Sequence, residues 1–248
     1  MQVAEETVLT LPGLAFTGKR FQDVRTALNK AAKAGITAEW LHFRDAPLAL
    51  TDQIRTISEE WVADKGLPEM GFTLGGLDEL ADDAVRCLIA VDADRTVHGV
   101  TSWLLVHRNG AVVGWTLDFM RRRASEPGGA TAVKGVMEFL IASAALRCRD
   151  EGAELLSLSG APLARLGRDD GGGPLQQLLD VVGRALEPVY GFRSLLAFKA
   201  KFAPAYRPLH LLYADPVALP AIARALGRAY LPDLDARRGA QLARQLLR

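Results

Sequence analysis

Apolar and polar positions along this chain follow two periods, and the switches between them mark its elements. In 18–35, Phe21, Val24, Ala27, Leu28 and Ala31 recur at steps of three and four, the spacing of a helix with one apolar face, and Gly35 closes it. The opposite face is basic, with Lys19, Arg20, Arg25, Lys30 and Lys33. Segment 36–43 alternates as a strand does, and 51–65 predicts an amphipathic helix capped by Thr51 or Asp52. The stretch 65–76 combines four glycines with a proline and reads as a positioned loop. Three strands are expected next, over 86–94, 97–110 and 111–123. Asn109-Gly110 supplies a hairpin turn between the last two, so the three form an antiparallel meander.

A loop at 125–131 leads into a long helix over 133–152, with Val136, Phe139, Leu140, Ala144 and Leu146 on or near its apolar face. A strand over 153–164 runs into a turn at Gly160 and Pro162. Three consecutive glycines make 168–177 the most pliable stretch, followed by a helix at 175–186. The spacing then predicts a helix over 190–202, a strand over 207–215, a proline-initiated helix over 217–230 and, after a break at 232–234, a basic helix over 235–248. This order predicts an α+β fold, a mixed and mainly antiparallel central sheet flanked by helices.

The composition is that of a globular protein, 49% hydrophobic and 24% charged, which excludes a disordered or collagen-like chain. Two cysteines, Cys87 and Cys148, and four dispersed histidines offer no metal-binding spacing, so no metal or disulfide framework is expected. No apolar run reaches the roughly 18 residues of a membrane span, and the acidic start reads as no signal peptide. A cytoplasmic location is the expectation. The net charge of +1 conceals an uneven distribution: 4 basic against 11 acidic residues in 51–100, but 8 against 3 in 201–248.

Three constellations can carry chemistry. Asp118 and Arg121 close the apolar strand 111–123, the first suited to hold a proton or an ammonium and the second an anion such as phosphate. On a regular strand Asp118 faces one way and Arg121 the other, so a shared site requires the strand to bend between them. Glu69 sits among Gly66, Pro68, Gly71 and Gly75, on a loop that can bring a carboxylate close to a ligand. The run 190–204 interleaves Tyr190, Phe192, Phe198 and Phe202 with Arg193, Lys199 and Lys201, a pattern that fits nucleic-acid contact and equally an amphipathic helix with lysine stems over core aromatics. Ser157 and Ser159 have no nearby motif that supplies a histidine base, so a covalent serine mechanism is not expected. Walker A and dinucleotide-binding glycine motifs are missing.

The meander, long helix and further strand follow the order of the GNAT acyltransferase fold, without that superfamily's pyrophosphate-binding loop. From about residue 16 to residue 230 the chain resembles the catalytic domain of MprF- and LysX-type aminoacyl-phosphatidylglycerol synthases. The segments that carry the resemblance are GKRFQDVRTALNKAAKAG, SEEWVADKGLPEMGFTLG, LDFMRRR, KGVMEFLI, LSLSGAPLA and YGFRSLLAFKAKFAPAYRPLHLLY, in that order. The resemblance implies a GNAT-like transferase that uses no CoA or other cofactor. It would move an aminoacyl group from aminoacyl-tRNA to a lipid hydroxyl, such as that of phosphatidylglycerol.

The family's Asp-x-x-Arg pair falls on Asp118 and Arg121, and its acidic loop on Glu69, as catalytic residues. Lys199, Lys201, Arg193, Tyr190, Ser159 and Glu138 would bind substrate. Lys134-Gly135 stands where relatives often have Asn-Gly. The expected organisation is a remnant of a first lobe in 1–50, the catalytic domain in 51–215 and basic helices in 216–248, with a peripheral position at the inner face of the membrane. Two other readings remain open: a non-catalytic module that binds lipid or tRNA, and a GNAT-like N-acyltransferase that acts on an amine or peptide.

Overall fold

The protein is described by a computed structural model covering residues 2–65, 71, 75–124, 132–162 and 192–230. Seven strands form one sheet: β1 (Gln2–Thr10), β2 (Thr37–Leu41), β3 (Arg86–Val91), β4 (Val97–Arg108), β5 (Ala111–Arg122), β6 (Leu155–Pro162) and β7 (Ala205–His210). Among the described residues five α-helices accompany them: α1 (Gln22–Lys33), α2 (Leu48–Lys65), α3 (Val136–Asp150), α4 (Phe192–Ala200) and α5 (Leu219–Tyr230). The strand order is β2-β3-β4-β5-β6-β1-β7. Every pairing is antiparallel except that of β5 with β6, which α3 connects as a crossover. This is the expected α+β architecture, and the meander of β3, β4 and β5 is the expected one. Its hairpin turns at Asn109 and Gly110 with φ of 52° and 81°, the conformation that an Asn-Gly pair adopts at little cost.

The sheet separates two apolar layers. On one face α1 and α3 bury Val24, Ala31, Leu140, Ile141 and Ala144 against Leu88, Trp103, Leu117, Leu156 and Leu158. On the other, Ile54 and Ile57 of α2 meet Cys87, Ile89, Val100 and Phe119. Alternate residues of β3 enter alternate layers, as the two-residue period of a central strand requires. Both cysteines are buried and free, and burial pushes each thiol up to about 12.

Three elements differ from expectation. The first strand, β1, lies between β6 and β7 although the sequence gives it no strand signature. Its alternation is interrupted by Glu5 and Glu6, which the fold satisfies with Gln2 Nε2 (2.8 Å) and Ser157 Oγ (2.6 Å). The second helix starts at Leu48, so Thr51 is inside it and its hydroxyl turns back to the Leu48 carbonyl at 3.0 Å instead of capping. Leu50 is buried, and its N–H bonds the Pro47 carbonyl, which draws the helix start back to the proline. The last strand ends at His210, not 215, where its ladder with β1 reaches Gln2.

The expected helices at 175–186 and 235–248 lie outside the described residues. The 217–230 helix is present, with Asp215 accepting from the Val217 N–H at 2.8 Å where its leading turn begins.

At Gly114 the backbone of β5 lies against β6 with no room for a side chain, since a β-carbon there would run into the Leu155 carbonyl. Gly114→Ala is therefore expected to force the parallel pair apart and cost about 2 kcal/mol, within the range of overpacking substitutions. Urea unfolding that leaves the midpoint unchanged would contradict this.

Candidate active site at the divergence of two parallel strands

Between Leu117 and Met120, β5 carries one residue more than the stretch of β4 that it pairs with, Trp103 to Thr101. The result is a bulge at Asp118 and Phe119. The Phe119 N–H, displaced from the ladder, donates to Ser102 Oγ at 3.1 Å. Leu117 and Met120 both pack on the α1/α3 side, whereas Phe119 packs in the α2 layer. The bulge thus supplies the bend that the sequence required.

Arg121 lies on the α2 side as well, its guanidinium 3.7 Å from the Trp61 ring centroid and 4.5 Å from that of Phe119. Asp118 accepts the Gly75 N–H at 3.0 Å on its Oδ1, from the loop that follows α2. A side chain at Gly75 would overlap the carboxylate, so the backbone approaches Asp118 as only glycine allows. Burial holds the Asp118 carboxyl above its ordinary range; the Gly75 N–H opposes this and the charge of Glu79 adds to it.

The parallel ladder between β5 and β6 ends at Thr116 and Ser157, although β5 continues to Arg122 and β6 to Pro162. The two strands diverge at their carboxyl ends, the place where sheets with parallel strands commonly receive ligands. Ser159 stands on the β6 side of the gap. Lys199 of α4 is only 3% exposed and donates to the Ser159 and Gly160 carbonyls at 3.0 and 3.1 Å. Burial pushes its ammonium down to about 8, while the Glu6 charge pulls the other way. Lys201 pairs with Glu138 in the first turn of α3 at 2.7 Å.

Asp118 and Arg121 therefore share the α2 side of the carboxyl ends, and Glu138 and Lys201 join each other where α3 begins. Lys199 and Ser159 meet at the gap, with the lysine spent on backbone carbonyls. Arg193 is in α4 with its side chain outside the description, and Tyr190 and Glu69 lie outside the described residues. Sequence reasoning passed over Trp61 and Glu6, and took Gly75 only as part of the loop around Glu69 and not as the partner of Asp118. The WVADK run after Glu60 shows an aromatic on a helix, but nothing local says that it will stack on an arginine sixty positions away. Among the described residues no group of histidines, cysteines and acids is placed to hold a metal ion.

Residues 1–213 match the sequence family described as phosphatidylglycerol lysyltransferase, C-terminal. Over 233 residues the chain is 47% identical to an uncharacterised protein of Corynebacterium glutamicum, covering 94% of this chain and 29% of that protein. It is 26% identical over 214 residues to a phosphatidylglycerol lysyltransferase of Bacillus subtilis, covering 86% of this chain and 23% of the enzyme. The solved structure of L-PGS from Bacillus licheniformis superposes with a TM-score of 0.73 at 22% identity, over 92% of this chain and 67% of that one, a likeness of fold. The chain thus spans less than a third of the length of these two sequence relatives.

Between about pH 8 and 10.5 the unfolded chain keeps the Lys199 proton that the folded one releases. The contribution of this group to stability is therefore present above 10.5 and lost as pH falls through 8. It should add a slope of about 1.4 kcal/mol per pH unit in that window. Chemical unfolding of Lys199→Met across the window should show that slope removed; an identical slope in both proteins would contradict the burial of a titrating lysine.

Proposed function

The chain belongs to the phosphatidylglycerol lysyltransferase C-terminal family, and on that footing we propose that it transfers an aminoacyl group from aminoacyl-tRNA to a lipid hydroxyl such as that of phosphatidylglycerol. The observation that carries this reading is the β5 bulge. It sets a burial-perturbed carboxylate and a stacked guanidinium on one side of the sheet, where two parallel strands diverge.

The reaction exchanges one ester for another and needs no enzyme nucleophile. The acceptor hydroxyl gives its proton to Asp118 as its oxygen attacks the aminoacyl carbonyl carbon. The bond from that carbon to the tRNA ribose oxygen breaks, and the departing oxygen takes up the proton from Asp118, which returns to its carboxylate. Raising a carboxyl above its ordinary range brings it closer to a useful proton acceptor near neutrality. Arg121, its guanidinium over the Trp61 ring and one nitrogen bonded to the Met120 carbonyl, offers its remaining donors to a phosphate, either that of the lipid or that of the tRNA 3′ end. Glu69 is a second carboxylate for the α-ammonium or the hydroxyl. Lys201 is a second cation that Glu138 keeps in place.

The donor is a polyanion. Lys19, Arg20, Arg25, Lys30 and Lys33 are all exposed on or just before α1, and a row of this kind follows phosphates. Among the described residues no helix is long and apolar enough to cross a membrane. The lipid would then be met at a membrane surface, to which the basic 216–248 region adds attraction for anionic headgroups.

Incubation with lysyl- or alanyl-tRNA and phosphatidylglycerol vesicles should yield aminoacylated lipid and identify the amino acid. Asp118→Asn should lower turnover by about 10²–10⁴-fold while tRNA and lipid binding persist. Retained turnover would remove Asp118 from the chemistry, and a binding module would show binding with no product from either protein. The KM for charged tRNA should rise steeply with salt, and a salt-insensitive KM would exclude the phosphate-tracking role of α1.

A further inference from the structure

The two strands that diverge at the site each carry an extra residue at the same level. In β5 it falls at Asp118 and Phe119. In β6 it falls at Leu158 and Ser159, which together face the single Thr7 of β1 between the Glu6–Gly160 and Val8–Ser157 pairs. Ser159 has a φ of 64°, a left-handed conformation that is uncommon for residues other than glycine. A serine there is strained, and such strain persists only where the surroundings over-determine it.

The surroundings of Ser159 do so. Its N–H donates to Ser157 Oγ at 3.1 Å, and that hydroxyl in turn donates to Glu6 Oε1 at 2.6 Å. Its carbonyl accepts from Thr7 Oγ1 at 3.2 Å and from the buried Lys199 ammonium at 3.0 Å. Its own hydroxyl lies 3.4 Å from Thr116 Oγ1 and donates across the gap to the Leu117 carbonyl, one residue before Asp118. A glycine would have filled the left-handed position without strain, but it has no hydroxyl to make that last bond.

The geometry points to Ser159 as a positioning residue: its hydroxyl ties the bulge of β6 to the bulge of β5 and so fixes where Asp118 stands, with Glu6, Thr7 and Lys199 as its supports. Lys199 then serves the protein and not the substrate. Two of the three supports, Glu6 and Thr7, come from β1, so the first strand of the chain helps build the site although it carries no catalytic group. This inference deepens the proposed function and rests on it for its effect on turnover, but the tie itself is a property of the protein without substrate.

The test compares Ser159→Gly with the unaltered full chain. Glycine keeps the left-handed backbone and removes the hydroxymethyl group that carries the bond to Leu117. The expected result is a Gly75 amide, bonded to Asp118, that exchanges with solvent about tenfold faster by NMR, the sign of a local opening. The Asp118 carboxyl, facing Gly75 and Glu79 from the neighbouring loop, should titrate closer to the ordinary range, with the unfolding midpoint little moved. Turnover should fall by about tenfold or more with the KM for phosphatidylglycerol vesicles within about twofold, as expected when a reacting group is misplaced without loss of binding. Thr7→Val, which removes one support, should shift the same amide in the same direction by less, and it decides the matter alone if Ser159→Gly does not fold. Unchanged Gly75 exchange and Asp118 titration in the folded variants would overturn the tie. Absence of transfer by the unaltered protein would overturn the proposed function instead, and amide exchange would still decide on Ser159.

Discussion

Between Leu117 and Met120, β5 holds one residue more than the stretch of β4 beside it, and the amide hydrogen that loses its place in the ladder is taken by the Ser102 hydroxyl. Without that extra residue, strict alternation would keep Leu117 and Phe119 on one side and Asp118 and Met120 on the other. With it, Leu117 and Met120 both stay in the α1/α3 layer, while Phe119 and Arg121 reach the α2 layer and Asp118 meets the loop behind α2. One local irregularity therefore satisfies two apolar cores and assembles the polar pair between them. A bulge of this sort is stable only if its orphaned amide is paired, so Ser102, buried in the neighbouring strand, is as much a part of the site as the residues that face the gap.

The charges around the gap show a common logic. Each buried or half-buried ionic group has a partner whose cost of removal would be high. Glu5 holds Gln2, Glu6 holds Ser157, Lys199 holds two carbonyls, and Lys201 holds Glu138. Asp118 is different in kind. Its bonded partner is one backbone N–H, its surroundings press it toward the neutral acid, and the adjacent Glu79 presses the same way. A carboxylate placed so that its protonation is adjustable suits proton transfer, whereas a carboxylate locked in an ion pair suits structure. The contrast between Asp118 and Glu138, both taken from the sequence as site residues, is a contrast of environment that their residue type does not show.

Much of the architecture was legible because it is written locally. Helical spacing around Val24, Ala27 and Ala31 announced α1, Asn109-Gly110 announced the hairpin, and the apolar run from Val136 to Leu146 announced α3. The start of α2 was misplaced because Thr51 resembles a cap, while burial of Leu50 beside Pro47 decided the true beginning. The first strand went unseen for a deeper reason. Two adjacent acids in a sheet interior run against the local pattern of a strand, and the partners that accommodate them are Gln2 for Glu5 and, for Glu6, Ser157, more than a hundred positions away.

Residue types and order alone determined the α+β class and the meander, and the family resemblance they carry singled out Asp118 and Arg121 as the chemistry to watch. Only the tertiary structure decided that a bulge turns these two to one side, that Lys199 is consumed by the backbone of β6, and that a strained serine spans the gap. The physical reason is the range of the forces involved. Helix and hairpin preferences act within a few residues and can be read along the chain. Bulges, buried charges and strained backbones are tolerated only by the sum of contacts from distant strands, and those contacts exist once β1, β5 and β6 lie side by side.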